Sequence, residues 1–183
     1  MFDGKFTTAN PKTASNLKIS KRIGLFILIA LAVIILATSL FYEIPAGNIG
    51  VVLRFGAVER VSYPGINVKL PFVERVVLMN VRTQKDEVQA TAMSENLQVV
   101  TSLIAVNYHL DGTRAKEVFE SVGSDYTNII VAPAIQNTFK AVTAQFSAEE
   151  LITKRDEVRL LAEEELTKQL GPYFIVVENF NIV

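Results

Sequence analysis

The side chains from which most catalytic sites are built are scarce in this chain. There is one histidine, His109, and no cysteine or tryptophan among 183 residues. Zero cysteine removes disulfide frameworks, thiolate zinc centres, iron–sulfur clusters and cysteine nucleophiles together. One histidine removes any site that needs two, and it leaves a serine nucleophile with His109 as its sole imidazole base. His109 lies in VTSLIAVNYHL, where alternation puts it on the polar face of a strand with Thr101 and Asn107, so it reads as an ordinary strand-face side chain. No serine and lysine stand in a recognisable catalytic arrangement. Glu163, Glu164 and Glu165 are consecutive. On a helix neighbours point about 100° apart, so the three do not converge on one cation and read as a solvated face. Gly47-Asn48-Ile49-Gly50 lacks phosphate-loop spacing and precedes a strand rather than a helix. No catalytic residue, cofactor or metal site is expected, and the chain reads as a non-enzyme.

The elements around these residues alternate between strand and helix signals. Ile49 to Phe55 is β-rich and closes at Gly56. VSYPGINVKLPF is punctuated by Pro64-Gly65 and Pro71 and reads as a hairpin-like excursion with an apolar tip. Residues 73–80 and 81–90 suggest two further extended segments. Val100, Ser102, Ile104, Val106, Tyr108 and Leu110 share the buried face of a strand. Helical spacing begins at Thr113 with Ala115, Val118, Phe119 and Val122, and Gly123 ends it. Residues 126–145 carry Ile130, Ala134, Phe139 and Val142 as a buried stripe, with Pro133 starting a new helix or kinking this one. Ser147-Ala-Glu-Glu150 is a capping box for a helix over 148–170 that carries Leu151, Val158, Leu161, Leu166 and Leu170 and stops at Gly171-Pro172. Residues 174–183 return to strand. The class is mixed α/β (α+β).

Charge and hydropathy divide the chain before this domain begins. Residues 1–22 form a polar arm with Lys5, Lys12, Lys18, Lys21 and Arg22 against Asp3, whereas the 18 basic and 19 acidic residues of the whole chain leave 43–183 net acidic. That acidity, with no basic patch interleaved with aromatics, argues against nucleic acid as a partner. Between arm and domain runs IGLFILIALAVIILATSLFY, residues 23–42, uncharged throughout. A helix of that length matches the roughly 30 Å hydrocarbon core of a bilayer. Ile23, Leu28, Val33 and Leu36 would face lipid, and Phe41 and Tyr42 would sit at the far interface. The absence of proline in the run argues against a re-entrant hairpin. Cleavage at Ala37-Thr38-Ser39 is the competing reading, and it would release a secreted binding module starting near Leu40. For the uncleaved anchor, the basic arm sets the N-terminus on the cytoplasmic or matrix side and the domain on the periplasmic or intermembrane side. No linker follows Tyr42, so the domain must rest on the bilayer. Tyr63, Ile66, Leu70 and Phe72 then either enter the interface or fill the domain's own core.

The order of segments carries a resemblance. The apolar span, IPAGNIGVVLRFGAV, YPGINVKLPFVERVVLMNVRTQ and VAPAIQNTFKAVTAQFSAEELITKRDEVRLLAEEEL together resemble the stomatin/prohibitin/flotillin/HflK-C (SPFH) superfamily over residues 43–183. The last run, above all Phe146 to Val158, is most similar to the prohibitin branch. The resemblance implies an SPFH/band-7 domain with a curved sheet and packed helices. It implies subunits assembled, with copies of themselves or a related SPFH protein, into rings or cages that enclose a membrane patch, and association with membrane AAA proteases of the FtsH type. It implies no established enzymatic activity. Members usually continue after the last strand into a long Ala/Glu-rich coiled-coil helix, and this sequence ends at Val183. The helix over 148–170, with Glu150, Arg155, Glu157 and Arg159, is the candidate source of subunit contacts. The rival is a membrane-bound hydrolase or its accessory subunit, which would have to rely on His109.

Overall fold

A computed structural model describes residues 13–182, with side chains from Ile23 onward. Helix α1 runs Thr13–Ser39 and passes through a single residue into strand β1, Phe41–Ile44. The helix therefore begins well before Ile23, where a polar arm was expected; residues 1–12 of that arm lie outside the described residues. At its other end the Thr38 hydroxyl bonds back to the Ile34 and Ile35 carbonyls and Ser39 Oγ donates to the Leu36 carbonyl at 2.8 Å, so both polar side chains of the last turn are satisfied by the helix's own backbone. Phe41 and Tyr42, expected at the end of the apolar helix, are instead strand residues. Strand β4 (Gly65–Val68) pairs with them antiparallel, Phe41 opposite Val68 and Tyr42 opposite Asn67, and Tyr42 donates to Ser62 Oγ at 2.8 Å.

That pairing also corrects the hairpin expected over residues 61–72. Strand β3 (Ala57–Ser62) pairs with β2 (Asn48–Arg54), and β4 pairs with β1 instead of folding back on β3. β2 is the centre of a three-stranded antiparallel sheet completed by β5 (Glu74–Asn80). A second such sheet holds β6 (Gln84–Met93), β7 (Val99–Leu110) and β8 (Ile175–Ile182), with β7 central. The strands thus form three antiparallel sheets where the resemblance implied one curved sheet. β6 begins at Gln84 rather than at residue 81 because Val81 and Arg82 are spent on the joint between sheets. Val81 N–H donates to the Gly47 carbonyl at 3.0 Å, and the Arg82 guanidinium bonds the Ala46 carbonyl. Gly47 has φ +82, and a Cβ there would collide with the Arg82 side chain.

The core lies under the second sheet. Ile104, Val106, Tyr108 and Leu110 point inward from β7 as the alternation requires, and helices α3 (Ala132–Thr143) and α5 (Arg155–Leu170) cover them. Asp111 caps the turn leading into α2 (Ala115–Ser121), accepting from Thr113 N–H at 2.9 Å. A π-turn, Thr127–Val131, runs directly into α3 and leaves Pro133 in the first turn, where its missing N–H costs nothing and the wider turn relieves the ring's clash with the preceding carbonyl. The capping box forms: Ser147 N–H donates to Glu150 Oε2 at 3.1 Å, and Glu150 N–H donates to Ser147 Oγ at 3.3 Å. The helix expected over 148–170 is two helices, α4 (Glu150–Thr153) and α5, separated at Lys154 with φ −108 and ψ 32. The break lets Leu151 pack near Phe139 while Val158, Ala162, Leu166 and Leu170 form an i, i+4 stripe against the core.

Candidate functional site

The end of the molecule where α1 meets the first two sheets is apolar and exposed. Lys69 N–H donates to the Leu40 carbonyl at 2.8 Å, which pins the loop after β4 to the exit of α1. Tyr63 (62% exposed), Ile66 (80%), Leu70 (47%) and Phe72 (96%) all face outward, so they do not fill the domain's core. Ile23, Leu28, Val33 and Leu36 are exposed on α1, as is Phe41 on β1, and Tyr42 is half-buried beneath Lys69, whose ammonium lies 5.8 Å from its ring centroid. Sequence reasoning missed Phe55, which is 86% exposed in the turn between β2 and β3. Its signal was a Phe-Gly pair between two β-rich runs.

Beneath the apolar tip lies a buried carboxylate. The Glu74 side chain is 1% exposed and accepts from Arg54 at 2.8 Å, from Arg60 at 2.9 and 3.0 Å, and from Leu70 N–H at 3.0 Å. Arg60 also donates to the Val68 carbonyl at 2.7 Å, and Arg54 pairs with Glu59 at 2.9 Å. The Arg60 guanidinium, then Leu70 N–H and Arg54, hold the Glu74 carboxyl down at about 2. Glu74 N–H returns to the Leu70 carbonyl at 2.9 Å, closing residues 70–74 into one turn, and Phe55 N–H donates to the Val73 carbonyl at 3.3 Å. One carboxylate thus ties the β2–β3 turn, β3 and the loop after β4 together.

The two larger sheets meet at a polar joint. Gln84 Nε2 donates to Tyr126 Oη at 2.7 Å, and the Tyr126 hydroxyl donates to the Asn80 carbonyl at 3.3 Å, so one phenol bridges the end of β5 and the start of β6. Tyr108, fully buried, donates to Asp86 Oδ2 at 2.6 Å and contacts Thr127 Oγ1 at 3.0 Å; burial, then Asp86, pushes its ionisation upward. His109 lies nearby on the outer face. Its Nδ1 is 2.8 Å from Glu178 Oε1, which also accepts from Thr83 Oγ1 at 3.0 Å.

The candidate contact residues of the α4–α5 region are dispersed. Glu150 is held down at about 2 by Lys154, 2.8 Å away, and by the Ser147 amide and hydroxyl. Arg155 donates to the Ile182 carbonyl and borders an apolar groove with Val100, Phe139, Leu151 and Ile152. Glu157 is exposed, and Arg159 lies 3.5 Å from Glu163. Glu150 and Arg155 are therefore engaged inside the chain. Among the described residues, no group of three or more His, Asp or Glu side chains is placed to hold a metal ion.

A family model described as SPFH domain / Band 7 family matches residues 42–183. The chain belongs to this family. Within it the chain is prohibitin-like. It is 28% identical over 148 residues to Prohibitin-6, mitochondrial, of Arabidopsis thaliana, covering 80% of this chain and 52% of that protein. It is 26% identical over 161 residues to Prohibitin-2 of Schizosaccharomyces pombe, covering 87% of this chain and 56% of that protein. Prohibitin-1 of Colletotrichum higginsianum is 26% identical over 155 residues, covering 84% and 56%. The chain spans about half the length of the curated relatives it matches. The SPFH match thus contains the apolar tip, the Glu74 cluster and the joint at Tyr126. Among the described residues no helix is long and apolar enough to cross a membrane. The part of α1 whose side chains are described, Ile23 to Ser39, is roughly 25 Å long at about 1.5 Å per residue.

Proposed function

We propose that this prohibitin-like SPFH protein is a membrane-anchored scaffold. Residues 23–42 anchor it as a single pass, helical to Ser39, with the arm 1–22 cytoplasmic or in the matrix. The SPFH domain, 43–183, lies on the opposite face of a bacterial plasma membrane or a mitochondrial inner membrane; Prohibitin-6, mitochondrial, carries the second compartment in its name. The observation that carries this reading is the exposed apolar surface of α1 continuing without a linker into β1 and the exposed tip around Ile66 and Phe72. In water such a continuous apolar surface is costly, and lipid covers it. Subunits assemble laterally, with themselves or with a related SPFH protein, through heterologous contacts that close into a ring or cage around a membrane patch. The enclosed patch organises or restrains a membrane AAA protease of the FtsH type. The work is geometric and needs no catalytic group.

The test is the mass and shape of the detergent-extracted protein, by size exclusion with light scattering and by negative-stain imaging. Rings or cages of many copies are expected, with an FtsH-type protease co-purifying from native membranes. A monodisperse monomer at all concentrations would sink the scaffold reading for this chain.

A further inference from the structure

Phe55 and Phe72 are placed in a way that the fold itself does not require. The two-residue turn between β2 and β3 has Phe55 at φ 51 and Gly56 at φ 91, with Arg54 opposite Ala57. Two consecutive left-handed residues are the pattern of a type I′ hairpin turn, whose first position ordinarily takes Asn, Asp or Gly. A phenylalanine there is disfavoured by its backbone and buries no surface in return, since it is 86% exposed. Phe72 repeats the anomaly at φ 69 and 96% exposed. Leu97, in the turn between β6 and β7, is also left-handed at φ 60 and 79% exposed, but it lacks the tie to the α1 exit that Phe55 and Phe72 have through the loop after β4. Phe174 shares the left-handed backbone at φ 55, but it packs on the core and lies under the Arg114 guanidinium, 5.2 Å from its ring centroid. Its conformation has a reason inside the fold. Strained residues persist where surrounding contacts over-determine them, and here those contacts are the Glu74 bonds to Arg54, Arg60 and Leu70 and the Phe55 N–H bond to Val73.

We propose that Phe55 and Phe72 form a two-pronged aromatic wedge seated in the bilayer interface, and that buried Glu74 is the positioning residue that holds both prongs. The inference rests on the membrane reading above. Lipid is the occupant because the loop that carries Phe72 is bonded to the exit of α1, Lys69 N–H to the Leu40 carbonyl, and Phe55 N–H is bonded to Val73 at the end of that same loop, so both prongs are tied to the element read as the anchor. Aromatic rings favour that depth, and Lys69 and Arg75 beside them suit the anionic headgroup layer. Glu74 acts through other residues: its two arginines fix the ends of the β2–β3 hairpin, and its bond to Leu70 N–H fixes the turn that carries Phe72.

The chain has no tryptophan, so Phe55→Trp and Phe72→Trp each give a single reporter. The full chain is reconstituted into phosphatidylcholine–phosphatidylglycerol vesicles, with Leu160→Trp on the outer face of α5 as the reporter for the rest of the domain. Emission from both tip reporters should shift to shorter wavelength relative to Leu160→Trp and be quenched by lipids brominated high on the acyl chain. In the Glu74→Gln background both shifts should shrink, and in Arg60→Lys, which keeps the charge but loses the two-pronged geometry, they should shrink less. Circular dichroism on each variant reports the fold, and if Glu74→Gln unfolds, Arg60→Lys carries the positioning test. Quenching of Phe72→Trp without Phe55→Trp would overturn the two-pronged wedge. Unchanged depths in folded Glu74→Gln would overturn the positioning role. Water-exposed emission from both tip reporters would overturn the wedge, and membrane extraction of the same samples separates that result from loss of the α1 anchor.

Discussion

Replacing Tyr126 by Phe removes one oxygen from the joint between the two larger sheets and nothing else. The ring is 4% exposed, so its packing is retained, while Gln84 loses an acceptor at 2.7 Å and the Asn80 carbonyl loses a donor at 3.3 Å. Each such bond contributes about 0.5–1.5 kcal/mol net, and the longer one belongs at the low end, which puts the loss at about 1–2 kcal/mol. Tyr126→Ala additionally deletes a buried aromatic ring and should cost about 3–5 kcal/mol. Urea unfolding of the detergent-solubilised protein, followed by far-ultraviolet circular dichroism, gives both numbers, with the denaturant slope expected to stay constant. The location of the effect matters as much as its size. Amide exchange should accelerate at residues 127–131 and 81–84, on the two sides of the joint, before it accelerates in β7. If Tyr126→Phe unfolds at the wild-type urea concentration and exchange at the joint is unchanged, the phenol is packing and not a latch, and the reasoning fails.

Ser147→Ala removes half of the capping box and should cost about 1 kcal/mol, measured as a lower urea midpoint. Acid should destabilise the protein in a defined window. Glu74 and Glu150 are held at about 2 in the fold against an ordinary 4.5, so the unfolded chain takes up their protons first. The stability they contribute is full above pH 4.5 and is lost as pH falls towards 2; a urea midpoint that stays flat across that range would contradict the assigned contacts. Arg155→Glu should shift large assemblies towards smaller species in light scattering with little change in thermal midpoint, because the bond it loses to the Ile182 carbonyl is exposed. Intact large assemblies would remove Arg155 from the subunit contact.

What could be read directly were the features that depend on neighbours in the chain. The Ser147–Glu150 box, the left-handed Gly123 after α2 and the alternation of β7 are local, because turn chemistry and the periods of helix and strand act over a few residues. The ordered set of segments that resembles the SPFH superfamily belongs with them, and the family match over residues 42–183 agrees with it. The catalytic inventory was bounded in the same way, by counting histidine and cysteine.

Tertiary structure decided where segments distant in sequence compete for one partner. β4 could have folded back on β3, but it pairs with β1, and that pairing holds Phe41 and Tyr42 in a strand and out of the apolar helix. The helix over 148–170 breaks at Lys154 because the stripe from Val158 to Leu170 and the side chain of Leu151 are directed at different surfaces. Glu74 looks like any strand-end acid in sequence. Its function follows from Arg54, Arg60 and the Leu70 amide arriving from three elements, which bury a charge that water would otherwise hold. Phe55 would ordinarily be assigned to a core, and only the geometry of its turn, with both central residues left-handed, turns the ring outward. Local pattern chose the elements, whereas long-range pairing and charge burial chose which apolar side chains stay outside the core and face what we read as the membrane.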